Sequence, residues 1–293
     1  MNKMKKFRQT AFAIAAAALL LPAHAMAASS VWKVSKGNDH LYLGGTVHIL
    51  PASEFPLPAE FEQAYQQADT LVLEAEMPDP TDQKAAMAMM QQLSYGAGEK
   101  LSKKLSPELL KQLDAYLQGF GVSVAQLDGF KPGFIAVQMT MLEMHKAKMT
   151  GEGVDAYFAK KAVTDKKQQQ YLETLEFQLS LMANLGTGEE EKFVRLMLEH
   201  SPELVKVMQQ SIAGWRAGDL SIIDKLLLQD SRIEDPVTFQ QMFTQRNQDW
   251  IPKIAAMFGN QQRELVLVGA GHLPGDDGVL QLLKAAGYTV EQI

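Results

Sequence analysis

Apolar and polar positions alternate along LYLGGTVHIL (residues 41–50) and again along LVLVGAGHLPG (residues 265–275), and both apolar runs close on Gly-x-x-His. Leu41, Leu43, Gly45 and His48 match Leu265, Leu267, Gly269 and His272 in spacing. Alternation with β-branched neighbours predicts a buried strand in each stretch. A glycine at the strand end lets the backbone turn sharply or approach something closely. Such a strand sets an imidazole at its carboxyl mouth, where open α/β sheets take their ligands. The expectation is that the two mouths lie side by side with both histidines in one site. The alternative is two strand-end turns carrying surface imidazoles.

Between these stretches the pattern changes period. VWKVS, a turn at Gly37-Asn38-Asp39 and the first Gly-x-x-His strand predict a hairpin. Pro58 opens a helix with Phe61, Ala64, Tyr65 and Ala68 on one face, and TLVLEAEMP follows as a second buried strand with Glu74 just beyond its apolar run. Strand, helix, strand suggests a parallel element in the sheet. Residues 81–150 read as helical and rich in Met, with a start at Ser106-Pro107-Glu108 and a stop at Gly119 and Gly121. Met87, Met89, Met90, Met139, Met141, Met144 and Met149 read as helical core filler, with an adaptable peptide groove as the alternative. Gly151-Glu152-Gly153-Val154-Asp155 turns into a further helix, for which Asp155 is the simplest N-cap. QQQYLETLEFQLSLMANL reads as a short strand running into a helix, with Glu173 at the junction. Ser201-Pro202 and Asp235-Pro236 mark two more helix starts, the second opening about twenty residues that contain Arg246-Asn247. After the second Gly-x-x-His strand come a loop at Gly275-Asp276-Asp277, a helix over VLQLLKAA and a last strand, YTVEQI.

Composition narrows the setting. Lys3, Lys5, Lys6 and Arg8 precede the apolar run 11–21, and small-x-small sites follow at Ala23–Ala25 and Ala25–Ala27. This is the pattern of a secretory signal peptide, with cleavage expected near Ala27 and a periplasmic destination. The expected organisation is a signal peptide over 1–27 and one domain over 28–293 with a helical insertion at about 81–150. The chain carries 28 Lys and Arg against 34 Asp and Glu, and four of the positive charges lie in the signal. That acidity invites neither nucleic acid nor anionic lipid, and no stable membrane association is expected after cleavage. There is no Cys, so disulfides, thiolate zinc sites and a Cys nucleophile are excluded, and a metal would have to use His, Asp and Glu.

His48, His272 and Glu74 form an N,N,O set suited to a divalent ion, which would polarise a carbonyl and lower the pKa of a bound water. Glu173 is a candidate general base or fourth ligand, and Arg246 offers a planar, permanent positive fork for a carboxylate or an oxyanion. Each has a plain alternative: Glu74 as a solvated strand end, Glu173 as a first-turn dipole partner, Arg246 as half of a surface pair. Asp276 or Asp277 reads as a cap of the following helix. His40, His145 and His200 read as structural. No His-Glu-x-x-His, Gly-x-Ser-x-Gly or phosphate loop occurs, which argues against the familiar zincins, α/β-hydrolases and nucleotide enzymes.

GGTVHILP and VGAGHLPGDDGVLQLLKAAGYTVEQI resemble the TraB/GumN family of bacterial proteins, related to the PrgY and Tiki proteins, and LVLEAEM, GEGVDAYFAKKA, YLETLEFQL and the Arg246-Asn247 helix extend the likeness over about residues 31–293. The resemblance implies an α/β (α+β) fold, a central mixed sheet from two pseudo-repeated halves, each ending a strand in Gly-x-x-His, plus a helical insertion. Its Tiki branch implies a metal-dependent protease with ligands at His48, Glu74 and His272. Asp155, Glu173, Arg246 and Asn247 match other recurrent positions. The expected function is a periplasmic metal-dependent hydrolase of peptidase type, with Mn, Co or Zn as cofactor and a peptide or small molecule as substrate. Glu173, Arg246 and Asn247 are placed in catalysis, and Gly45, Asp155 and Gly269 against the substrate. The alternatives are a binding protein without turnover, sequestering a peptide or small ligand, and a metal or haem carrier.

Overall fold

Six strands form where the period-two stretches predict them. They are β1 (Val31–Lys36), β2 (Asp39–Thr46), β3 (Thr70–Leu73), β4 (Gln168–Tyr171), β5 (Glu264–Gly269) and β6 (Thr289–Gln292). This computed structural model describes residues 29–77 and 81–293, so the expected signal peptide and its cleavage site lie outside the described residues. The strands make one mixed sheet in the order β4-β3-β5-β2-β1-β6. β4, β3, β5 and β2 run parallel, and β1 is antiparallel to both β2 and β6. The register sets Gly45 beside Val268, Thr46 beside Gly269, and Leu73 beside both Leu267 and Tyr171. The carboxyl ends of four strands therefore open at one edge.

Both faces of the sheet are covered, as the near-continuous apolar runs of β3 and β5 require. On one face Tyr42, Leu71, Leu73, Leu265 and Leu267 pack with Phe61, Tyr65, Phe158 and Trp215. On the other, Leu41, Leu43, Val72, Val266 and Val268 pack with Trp250, Ile254, Leu273 and Leu283. Each such side chain contributes roughly 1.5–3 kcal/mol by leaving water, and with no disulfide this is where the fold's stability resides. A third cluster contains no strand residue. It joins Leu101, Leu109, Leu113, Leu117, Ile135 and Met139 to Val194, well beyond the predicted insertion.

Two local expectations are corrected. Met139, Met144 and Met149 are core, but Met87 and Met90 are exposed because the Gln83–Gln92 helix buries none of its residues, and Met141 lies on the exposed side of the helix Pro132–Lys146. The helix Val279–Ala285 takes Gly278 at its N-cap position, not Asp276 or Asp277. Asp235 does cap its helix start, accepting from the Thr238 amide. From there Pro236–Phe239, a π turn over Gln240–Thr244 and Gln245–Ala255 form one continuous helical run. Among the described residues no helix is long and apolar enough to cross a membrane.

Candidate functional site

The mouth of the parallel strands is held open by close backbone packing. A Cβ on Gly45 would stand 2.8 Å from Leu273 Cδ1 and 3.3 Å from Ala270 Cα, so only glycine lets β2 approach the turn after β5. Trp215 Nε1 donates to the Gly45 carbonyl at 2.6 Å, which fixes the strand end. Past it, the chain at His48 is backed by Gly153, whose Cβ would lie 2.3 Å from the His48 carbonyl oxygen. The Val154 amide donates to the Val47 carbonyl, and the helix Val154–Asp165 starts there with Gly153 at its N-cap position. Asp155 is thus not the expected cap. It sits in the first turn and turns Oδ2 to His48 Nδ1 at 3.1 Å.

Arg246 stands at the centre, only 5% exposed. Its Nε and Nη2 donate to Glu173 Oε1 and Oε2 at 2.9 and 2.8 Å, the bidentate geometry a guanidinium favours. Nη2 also donates to Glu74 Oε2 at 2.7 Å, and Nη1 to the Met242 carbonyl at 3.1 Å. Nη1 lies 3.0 Å from His272 Nε2. A guanidinium only donates, so His272 Nε2 must be the accepting, unprotonated nitrogen. Its Nδ1 then carries the hydrogen and donates to Asn247 Oδ1 at 2.6 Å. Asn247 Nδ2 in turn donates to the Asp277 carbonyl. Glu74 Oε1 accepts from the Gly269 amide at 2.6 Å.

Glu173 accepts four donors, because Trp250 Nε1 and Gln178 Nε2 join the two from Arg246. That fills the roughly four lone-pair positions of a carboxylate. The general-base role expected of Glu173 has no free lone pair here, and its geometry makes it the anchor of Arg246. Trp250 and Gln178 were not singled out in the sequence. The available signal for Trp250 is its place one helical turn after Arg246.

Burial pushes the His272 imidazole down to about 3, with Arg246 and His48 adding to the effect against the pull of Glu74; it is neutral. Burial by itself would raise the Glu74 carboxyl, but His272, Arg246, His48 and the Gly269 amide outweigh it and hold it at about 2. Of these, Arg246 is the group that stays charged at every pH. Burial tends to lower His48, and the hydrogen bond and charge of Asp155, with Glu74, reverse this and raise it. The His48 side chain is 62% exposed, so water screens part of that pull.

The donor set was tested against a divalent ion on the geometry of Gly269. A Cβ built there would stand 3.3 Å from Glu74 Oε1, 3.6 Å from His48 Nε2 and 3.6 Å from His272 Cδ2. The three expected ligands thus converge on one face of Gly269, where even a methyl group would be in tight contact. Both imidazoles have Nδ1 tied to an oxygen acceptor and present Nε2, the outer-shell arrangement typical of metal-binding histidines. Among the described residues, however, no group of three His, Asp or Glu side chains stands close enough to hold an ion. Arg246 engages His272 Nε2 and one Glu74 oxygen instead. The residue types and lone pairs fit a metal, and ligand distances would require Arg246 Nη1 to release His272.

Every residue expected in the site reaches this mouth. His48, Glu74, Glu173, Arg246, Asn247 and His272 contribute side chains, Asp155 lies behind His48, and Gly45 and Gly269 provide the close backbone. A family model described as the TraB/PrgY/gumN family matches residues 30–292. The chain is 27% identical over 257 residues to "Uncharacterized protein YbaP" of Escherichia coli (strain K12), covering 85% of this chain and 89% of that protein. The Shigella flexneri protein of the same description is similar to the same extent. The chain is also 25% identical to "Metalloprotease TIKI1" of Danio rerio, covering 90% of this chain and 63% of that longer protein. No solved structure matches.

Proposed function

The chain belongs to the TraB/PrgY/gumN family, and from that premise we propose that it is an exported, metal-dependent hydrolase of peptides. His48, His272 and Glu74 would hold one divalent ion, of the Mn, Co or Zn kind. The observation that carries this reading is the shared orientation of the two histidines. Asp155 and Asn247 each fix an Nδ1, and one face of Gly269 meets His48 Nε2, the His272 ring edge and Glu74 Oε1 together. The printed name of the Danio rerio relative supports metal-dependent proteolysis, and the basic-then-apolar start of the chain supports export.

When bound, such an ion would polarise a carbonyl and acidify a water molecule. The chain's own residues do the rest. Asn247 holds His272 in the tautomer with a free Nε2, and Asp155 orients His48. Glu173 keeps Arg246 in place through two bonds, and Nη1, once it releases His272 to an ion, would be the donor that Arg246 can turn to negative charge on a substrate oxygen. Gly269 lets Glu74 and the two histidines close up on one backbone position, and Gly45 sets the strand spacing beside it.

The test uses the protein expressed from Ala28 and stripped with chelator. Mn²⁺, Co²⁺ and Zn²⁺ are titrated by calorimetry into wild type and the His48→Ala/His272→Ala double variant, followed by a fluorogenic peptide-library screen. One site lost in the double variant, with cleavage that follows metal loading, is expected. Wild type that binds none of the three ions would refute the reading and favour a binding protein without turnover.

A further inference from the structure

Thr46 ends β2 in register with Gly269 on β5 and precedes His48 by two residues. Paired residues of adjacent parallel strands point to the same side, about 5 Å apart, so the Thr46 side chain lies on the side of Gly269 that Glu74, His48 and His272 face. It is 3% exposed, and among the described residues its Oγ1 has no hydrogen-bond partner. A buried hydroxyl loses its water and here receives nothing in return. Val has the same branched shape without that loss, so packing and strand preference give no reason for Thr at this position. A second buried atom attached to the same histidine is also unpartnered, namely Asp155 Oδ1, while Asp155 Oδ2 is taken by His48. Folding alone therefore leaves unused one hydroxyl two residues before His48 and one oxygen of the carboxylate that holds His48.

Building on the peptidase reading, we propose that Thr46 is a substrate-binding residue whose hydroxyl donates to a peptide carbonyl oxygen at the mouth between β2 and β5. The hydroxyl is idle in the free protein and becomes bonded in the complex. Its removal should therefore move stability and binding in opposite directions. That separates it from a structural threonine, whose loss would lower both.

The test compares wild type with Thr46→Val and Thr46→Ser, all starting at Ala28. Thermal midpoint, Mn²⁺ affinity, hydrolysis of fluorogenic peptides and binding of the same labelled peptides by fluorescence anisotropy are measured. For Thr46→Val we expect a midpoint unchanged or raised by a few degrees and Mn²⁺ affinity within about twofold, with kcat/KM and peptide affinity about tenfold lower. Thr46→Ser should recover most of the loss. A Thr46→Val midpoint several degrees lower, or peptide binding unchanged by it, would overturn the proposal. Wild type that binds peptides without cleaving them would end the hydrolase reading, and the Thr46 assignment would then be decided by anisotropy and midpoint. Wild type that binds no peptide would overturn it.

Discussion

Replacing Arg246 with Met removes the one permanent cation from between two buried carboxylates. The side chains of Glu74 and Glu173 are 12% and 5% exposed and share this guanidinium at 2.7 and 2.8 Å. Met matches the length of the stem, so packing is largely kept while every charge-assisted bond is lost. Breaking a buried ion pair from one side costs about 3–5 kcal/mol, since it strands the other partner. For a domain of this size that corresponds to a fall in Tm on the order of 10 °C at pH 7.5.

The dependence on pH carries the sharper sign. In wild type the Glu74 carboxyl is held at about 2, below its ordinary value. A depressed acid contributes stability that is present above its unfolded pKa and lost as pH falls through the folded one, so Glu74 gives no slope between pH 5 and 7.5; the lowered His272 and raised His48 do titrate against the unfolded chain in that window, and the variant is therefore read against wild type at each pH. In Arg246→Met one of the groups that hold Glu74 down is gone, so its carboxyl sits higher than in wild type. The folded variant then takes up a proton more readily than folded wild type as pH falls, and its deficit narrows toward pH 5. Calorimetric melting of metal-stripped wild type and variant at pH 5 and 7.5 should show a gap that is wide at 7.5 and at least partly closed at 5. Adding Glu173→Gln to the variant should recover part of the loss at pH 7.5. A gap under about 3 °C, or one that widens toward pH 5, would refute the account of Arg246 as the site's central cation.

Two further outcomes follow from the same geometry. At pH 6 Glu74 is ionised and His272 neutral, whereas His48 is held protonated by Asp155. Binding of a divalent ion should therefore release close to one proton, with affinity rising as pH increases toward the raised His48 value; titration in two buffers of different ionisation enthalpy measures this, and no proton release would contradict it. Gly269→Ala puts a methyl group 3.3 Å from Glu74 Oε1 and 3.6 Å from His48 Nε2 on a backbone with an ordinary φ of −52°. The expected result is a Tm within a few degrees of wild type and at least tenfold weaker Mn²⁺ binding; unchanged binding would remove the Gly269 face from the site.

The sheet was legible because strand periodicity is local. Leu41, Leu43, Leu265 and Leu267 carry it within a few residues, and the Gly-x-x-His endings place the mouths without reference to the rest of the chain. What the periodicity does not contain is the identity of the group facing a helix across the core. Arg246 could be read as half of a surface pair because its partners, Glu74 and Glu173, lie 172 and 73 positions away. Asp155 looked like a cap for the same reason: its distant partner, His48, competes with the local backbone for the carboxylate and wins. The methionines divide on a similar ground. Met139 and Met144 face a neighbouring helix, while Met87 and Met90 belong to a helix that buries nothing. Glu173 carries the largest change of role. Alone at a strand end it has the chemistry of a base, and only the fold supplies the four donors that fill its lone pairs and turn it into the support for Arg246. Residue types thus named the side chains that gather at the strand mouth, while their pairing with one another depends on long-range contacts that sequence spacing does not encode.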